Sequence, residues 1–304
     1  MSPVAAPRAL VVGEALVDVT RKADGTVAEH PGGSPLNVAV TMARQGIDTT
    51  LASQVGDDSF GALIRAHLDE SGVALVDAGP PRATASATAT LDAGGAATYE
   101  FDLHWDPERF PEPSGFDLIH VGSIGAWMPP GATAVADLVR RAHVGGQAVG
   151  FDPNIRPTLA PAAQQLRRLV HDVAAHSRFV KLSDEDAAVL VDGADGPESV
   201  LHDLAGRGPA LVALTRGGRS VALRSGDQQV RLQVPRVDVV DTIGAGDTWM
   251  GTLLAELLVR GWVNRGSFGA DDLRALGEAA GSASAITVSR PGADPPWRSE
   301  LLPG

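Results

Sequence analysis

Short apolar runs alternate with amphipathic stretches along almost the whole chain, and this alternation constrains the fold more than any other feature. Residues 9–15, 49–55, 118–123, 147–152, 179–182 and 210–215 have the length and composition of strands. Between and after them, residues 35–45, 59–70, 132–143, 162–175, 185–191, 197–206, 246–260 and 271–285 have helical spacing. In the 162–175 segment, for example, Leu166, Leu169, Val170, Val173 and Ala174 form one apolar stripe. Strands that alternate with helices predict an α/β protein with a mainly parallel central sheet covered on its faces.

Two places break the rhythm. Residues 15–31 and 83–103 contain extended stretches rich in Thr, Ser and Ala with no helical pattern. Residues 83–91 and 96–103 flank Asp92-Ala93-Gly94-Gly95, which reads as a β-hairpin. A small sheet here would project over the ends of the main strands as a lid. The same hairpin would also suit an antiparallel extension at the edge of the main sheet. With no repeat and no long linker, residues 1–304 read as one domain with lid segments at about 15–31 and 83–103.

Composition narrows the partners. The net charge is −12 with no basic run, which disfavours nucleic acid and anionic membrane. No apolar run approaches the roughly 20 residues needed to span a bilayer, and the amino terminus lacks the basic and apolar regions of a signal peptide. The expected location is the cytoplasm. The absence of cysteine excludes disulfides, thiolate metal sites and a cysteine nucleophile. Only two of the 25 basic residues are lysines, Lys22 and Lys181, and GxxxxGK[ST] does not occur, so a lysine-bearing P-loop is excluded. A strand followed by GxGxxG is also missing.

The run Asp241-Thr242-Ile243-Gly244-Ala245-Gly246-Asp247 stands directly before the 246–260 helix. Three of the smallest residues in succession leave backbone N–H groups unobstructed at a helix N-terminus, which is an anion site. Asp247 then places a carboxylate beside that anion, as phosphoryl transfer to a hydroxyl requires. The same residues would also make a glycine-rich turn with Asp247 as a helix cap.

Several further motifs stand in order along the chain. They are Gly13-Glu14-Ala15-Leu16-Val17-Asp18, Gly32-Gly33-Ser34-Pro35-Leu36-Asn37-Val38-Ala39 and Val55-Gly56-Asp57-Asp58-Ser59-Phe60-Gly61. Phe151-Asp152-Pro153-Asn154-Ile155-Arg156-Pro157, Lys181-Leu182-Ser183-Asp184-Glu185-Asp186 and Leu214-Thr215-Arg216-Gly217-Gly218 follow. Together with Asp241–Asp247 they resemble the ribokinase (PfkB) family of carbohydrate kinases over nearly the whole chain, and most of all its fructokinase branch. The resemblance implies a three-layer ribokinase-like sandwich with a small β-sheet lid. It also implies transfer of the ATP γ-phosphate to a primary hydroxyl of a monosaccharide, fructose first.

By the same resemblance, Asp247 is the catalytic base, and Gly244, Ala245 and Gly246 stabilise the transferring phosphoryl group. Asp18, Gly32, Gly33, Asn37 and Arg156 hold the acceptor, while Lys181, Ser183, Thr215, Gly217 and Gly218 line the nucleotide side. Ser183 and Asp186 replace the family's Asn-x-x-Glu pair. The shorter Asp186 carboxylate is expected to meet Mg2+ through water, although acidic residues suit the start of a helix in any protein. Asp241, with carbonyls near Ile243 and in 287–292, resembles a monovalent-cation (K+) site. Ser220 stands where the family often has a further glycine. Tyr99, Phe101 and Trp105, beside the hairpin, would either cover the sugar or pack the lid.

Besides ribokinase and nucleoside kinase, which rank behind, two alternatives stay open. One is a 2-keto-3-deoxygluconate kinase, whose acceptor carboxylate Arg156 would bind. The other is a sugar-binding regulator that kept the fold without catalysis. The small sheet offers a surface for a homodimer.

Overall fold

The structure is a computed structural model that describes residues 6–79, 83–92, 97–191 and 196–301. Its main sheet has nine strands among these residues. They are β1 (Arg8–Val12), β4 (Asp48–Ser53), β5 (Ala74–Asp77), β8 (Leu118–Gly122), β9 (Ala148–Asp152), β10 (Phe179–Ser183), β11 (Leu211–Thr215), β12 (Ser220–Ser225) and β13 (Gln228–Gln233). Their spatial order is β13-β12-β11-β10-β9-β8-β1-β4-β5. All neighbours are parallel except β11–β12 and β12–β13. The alternation pattern leaves 220–233 unassigned, and the structure places there an antiparallel hairpin that turns through Gly226 at φ 54°.

Helices cover both faces. On one side lie α1 (Ser34–Arg44), α2 (Ser59–Ser71), α8 (Ala245–Val259) and α9 (Ala270–Val288). On the other lie α3 (Ser123–Trp127), α4 (Gly131–Val144), α5 (Ala163–Ala175), α6 (Asp184–Leu190) and α7 (Pro197–Ala205). A short α10 (Arg298–Leu301) follows. Strand β1 shows why the sheet needs cover twice. Ala9 and Val11 pack into one apolar core, Leu10 and Val12 into the other, and all four are fully buried. Each predicted helix and strand is present, with ends that coincide or shift by at most three residues.

The two segments that break the pattern form a second, separate sheet. Strands β2 (Leu16–Arg21), β3 (Val27–Gly32), β6 (Ala85–Leu91) and β7 (Ala97–Asp102) are arranged β3-β2-β6-β7. The hairpin register runs from Ser86↔Asp102 to Leu91↔Ala97, and the turn residues 93–96 lie outside the described residues. An edge extension of the main sheet is therefore excluded. Strand β2 pairs parallel to β6, so this small sheet is closed by long-range pairing.

Asp58 joins the layers. It caps α2 by accepting the Gly61 N–H at 2.8 Å, and it also accepts the Thr84 N–H (2.8 Å) and hydroxyl (2.7 Å) beside β6. Burial raises its pKa, but the N–H donors of Thr84 and Gly61 outweigh that and hold it below the ordinary value. A depressed carboxylate contributes stability that is present above its unfolded pKa and lost as pH falls through the folded one. Asp58→Ala should cost about 1 kcal/mol at neutral pH, the usual worth of a cap. Denaturant titrations at neutral and acid pH should show the cost shrinking in acid.

Candidate active site

Open α/β sheets bind ligands at the carboxyl ends of their strands, where connections diverge in opposite directions. Here the chain runs from β1 outward through β4 and β5, then returns to β8 and continues to β11 on the other side. The divergence lies between β1 and β8. The carboxyl ends of β1, β9 and β10 and the start of α8 meet around this point.

Gly244 precedes α8 with φ 73°, a left-handed turn that a side chain would strain. A Cβ there would also lie 2.6 Å from the Ala293 Cβ. The turn opens α8, and Asp247 sits in its first turn, 7% exposed. Its carboxylate accepts hydrogen bonds from Ser34 Oγ (2.7 Å), Asn37 Nδ2 (2.8 Å) and Asn154 Nδ2 (3.4 Å). All three donors are neutral, and no salt bridge to Asp247 occurs among the described residues. One of the three small residues is partly engaged, since the Ala245 N–H reaches the Thr242 carbonyl at 3.3 Å.

The Gly32-Gly33 step brings the small sheet onto α1. A Cβ on Gly32 would lie 2.2 Å from Asp18 Oδ2, and Gly33 adopts φ 102° as it begins α1. The half-buried Asp18 on β2 therefore lies flat against backbone. Burial raises its pKa; Arg156 and His30 lower it, and Asp247 raises it further. Asp18, Asp247 and Arg156 are thus close enough to feel one another. Arg156 is exposed, with Nη1 donating to Asn154 Oδ1 at 2.7 Å.

Behind this layer lies a buried ion pair. Lys181 Nζ and Asp152 Oδ2 are 2.8 Å apart, with side chains 4% and 0% exposed. Burial pushes the Asp152 carboxyl up to about 6 despite the lysine. Burial also works against the Lys181 charge, yet Asp152, Asp186 and Asp247 together hold its pKa above the ordinary value. A Cβ on Gly246 would come within 3.0 Å of Lys181 Nζ, so the ammonium stands directly under the glycine turn.

Asp186 is buried and its oxygens serve the protein. Oδ1 accepts the Ile155 N–H (2.6 Å), and Oδ2 accepts the Ser183 N–H and hydroxyl (both 2.8 Å). Ser183 returns a bond to the Asp186 N–H at 3.0 Å, which completes a capping box for α6. Among the described residues no group of three His, Asp or Glu side chains could hold a metal ion by itself. Asp186, whose charge reaches Asp152 and Lys181, would meet an ion only through water, which Mg2+ with its retained waters allows.

The turn after β11 is open. Gly217 (φ 51°) and Gly218 have nothing within 4 Å of where a Cβ would be. Arg216 and Arg219 on either side pair with Glu198 and Asp184, and Arg231 shares Glu198. Thr215 stands half-buried at the end of β11. Ser220 is buried at the start of β12, its carbonyl accepting the Arg216 N–H at 2.9 Å. Asp241 binds the segment after α9 instead, Oδ1 accepting the Ile243 N–H (3.0 Å) and Oδ2 the Gly292 N–H (2.9 Å).

The structure therefore gathers Asp18, Gly32, Gly33, Asn37, Arg156, Gly244, Gly246, Asp247 and Lys181 at one place. The aromatic residues divide: Trp105 is 2% exposed and donates to the Gly125 carbonyl, while Tyr99 and Phe101 stack on each other on the exposed small sheet. Ser34 and Asn154 carry no assigned role in the motif analysis. The signal for Ser34 is its spacing: Ser34 and Asn37 are three apart on α1 and share a face.

The model of the "pfkB family carbohydrate kinase" family matches residues 6–300. The chain belongs to that family. As a pfkB-family kinase it is a sugar phosphotransferase with the ribokinase-like fold. It is 35% identical over 263 residues to a fructokinase of Klebsiella pneumoniae, covering 83% of this chain and 84% of that protein. A fructokinase double mutant of Vibrio cholerae O395, solved with fructose, ADP and potassium ion, superimposes with TM-score 0.79 at 26% identity over 94% of each chain. An aminoimidazole riboside kinase of Salmonella enterica, complexed with aminoimidazole riboside and an ATP analogue, gives TM-score 0.78 at 25% identity. That match covers 97% of the kinase described here and 98% of the Salmonella chain. No helix among the described residues is long and apolar enough to cross a membrane.

Proposed function

We propose that this kinase phosphorylates a primary hydroxyl of a monosaccharide, D-fructose first, with ATP as donor and Mg2+ as its companion ion. The observation that carries the reading is the Asp247 carboxylate, held by neutral donors at the N-terminus of α8 beside Asp18 and Asn37. Asp18, Asn37 and the backbone at Gly32-Gly33 offer the paired acceptors and donors that sugar hydroxyls need. Asp247 orients the attacking hydroxyl and accepts its proton as the oxygen–phosphorus bond forms and the bond to the ADP leaving oxygen breaks. The N–H groups of Ala245 and Gly246 and the buried Lys181 face the negative charge of the migrating phosphoryl group. Mg2+ would be met by phosphate oxygens and waters, with Asp186 reaching it through one of those waters. Thr215, Gly217 and Gly218 give the nucleotide an unobstructed backbone, and Asp241 near Gly292 is the candidate for a K+ site.

The fructokinase relatives and motifs favour fructose, and the aminoimidazole riboside kinase likeness keeps a furanose riboside within the acceptors to test. An ADP-release assay over fructose, ribose, 2-keto-3-deoxygluconate and aminoimidazole riboside should give fructose the highest kcat/KM. Arg156→Ala should change that value by less than about tenfold, because fructose carries no anion for the guanidinium to pair with. A preference for the sugar acid that disappears in Arg156→Ala would overturn the fructose reading.

A further inference from the structure

Glu14 is 5% exposed, carries a carboxylate, and has no part in the chemistry above. It follows Gly13 at the end of β1, where the chain leaves the main sheet for β2. Its Oε2 accepts the Gly125 N–H at 2.9 Å. Gly125 belongs to α3, which starts directly after β8, so this bond crosses the point where the connections of β1 and β8 diverge. A Cβ on Gly125 would lie 2.8 Å from the Gly13 Cα, so the two turns are in contact.

Among the described residues, Ser123 (φ 51°) and Asn154 (φ 36°) are the non-glycine residues with left-handed backbone. Such conformations cost energy and persist where the surroundings over-determine them. Here the surroundings form one chain of bonds. Glu14 holds Gly125, Trp105 Nε1 donates to the Gly125 carbonyl (2.9 Å), and Trp127 Nε1 at the end of α3 donates to the Pro153 carbonyl (2.9 Å). Pro153 is followed by Asn154, which reaches both Asp247 and Arg156.

We propose that Glu14 is a positioning residue for the acceptor end of the cleft: its carboxylate clamps the strained Ser123–Gly125 turn, and α3 transmits that placement through Trp127 to Asn154 and Arg156. The inference rests on the acceptor site proposed above.

The clamp is sensitive to pH. Burial pushes the Glu14 carboxyl up to about 7; the Ser123 hydroxyl, the N–H groups of Glu14 and Gly125, and the Arg156 guanidinium oppose this more weakly. Other charged groups on the surrounding strands are Arg8 on β1, Asp18 and Arg21 on β2, Glu29 and His30 on β3, and the paired Asp152 and Lys181 on β9 and β10. His120 on β8 is neutral throughout, its pKa pushed down to about 3 by burial. Ionised Glu14 holds its donors more strongly than the protonated form, because a charged acceptor makes the stronger bond.

The wild-type KM for fructose, or for the best acceptor of the panel, should therefore fall several-fold between pH 6 and pH 8. In Glu14→Gln it should stay at the low-pH value throughout, with kcat within about twofold of wild type and KM for ATP unchanged. Ser123→Ala, a milder change, should move the midpoint of the wild-type KM profile to higher pH. A Glu14→Gln profile that parallels wild type, a loss that falls on kcat, or an unmoved midpoint in Ser123→Ala overturns the proposal. Absence of wild-type turnover with every acceptor would instead refute the underlying function.

Discussion

Asp247→Ala should lower kcat by about 10²–10⁴-fold, the usual contribution of a positioned proton acceptor, while sugar affinity changes by only a few-fold. The reasoning starts from the partners of the carboxylate. Ser34 and Asn37 hold it in place from α1, and both would remain to bind acceptor hydroxyls after the truncation. The interaction removed is one needed chiefly as the phosphorus–oxygen bond forms, so the loss should fall on turnover and spare binding. Asp247→Asn is the sharper variant, since it keeps the shape and removes the basic oxygen. ADP-release kinetics, paired with calorimetric titration of the sugar, separate the two quantities. Undiminished turnover in either variant would end the assignment of Asp247 as base.

Lys181→Met should be among the most destabilising single changes in the protein, at about 3–5 kcal/mol, because it leaves a buried carboxylate without its partner. Asp152 is 0% exposed, and even beside Lys181 burial holds its carboxyl near 6. Without the ammonium the folded pKa rises further above the unfolded one. The folded state then binds more protons than the unfolded state over the interval between the two values, so stability falls as pH rises. The penalty should accordingly be largest at pH 8 and shrink towards pH 5, where Asp152 is neutral in the folded variant. Denaturant titrations of wild type and variant across that range test the sign directly. A penalty that grows in acid would mean that the pair is not the dominant interaction at this place. Lys181 also stands under Gly246, so the variant should lose activity where it remains folded.

Much of the architecture is legible in local pattern. A parallel strand buried on both faces must be a short apolar run, and an outer helix must carry one apolar stripe, so 9–15 and 162–175 announce themselves. The hairpin β12–β13 escapes that reading. Its outer strand β13 lies at the sheet edge and alternates polar with apolar residues, and β12 offers only the short apolar run 221–223 between polar ends, so neither matches the longer runs of the parallel strands. The small sheet was foreshadowed by a lack of helical pattern, but its topology was not. Pairing β2 parallel to β6 joins residues about 70 positions apart, and nothing local encodes such a partner.

The motifs show the same division. The glycines at 244 and 246 beside the carboxylate at 247 suggest an anion turn because backbone access and charge are properties of residue type and spacing, whereas Asp18, Gly32 and Gly33 enter as acceptor residues only through the family resemblance. Their supports were not visible in that way. The Asp152–Lys181 pair, the Ser34 and Asn154 bonds to Asp247 and the Glu14 clamp on Gly125 join distant segments.

The order of residues by itself determined the α/β class, the family and the side chains suited to phosphoryl transfer, since periodicity and backbone permissiveness are local. Tertiary structure alone decided which of those side chains meet and how their charges are balanced. Contact between distant segments and removal from water arise only when the strand ends converge, and those two conditions set the Asp152 and Glu14 carboxyls apart from the ordinary range.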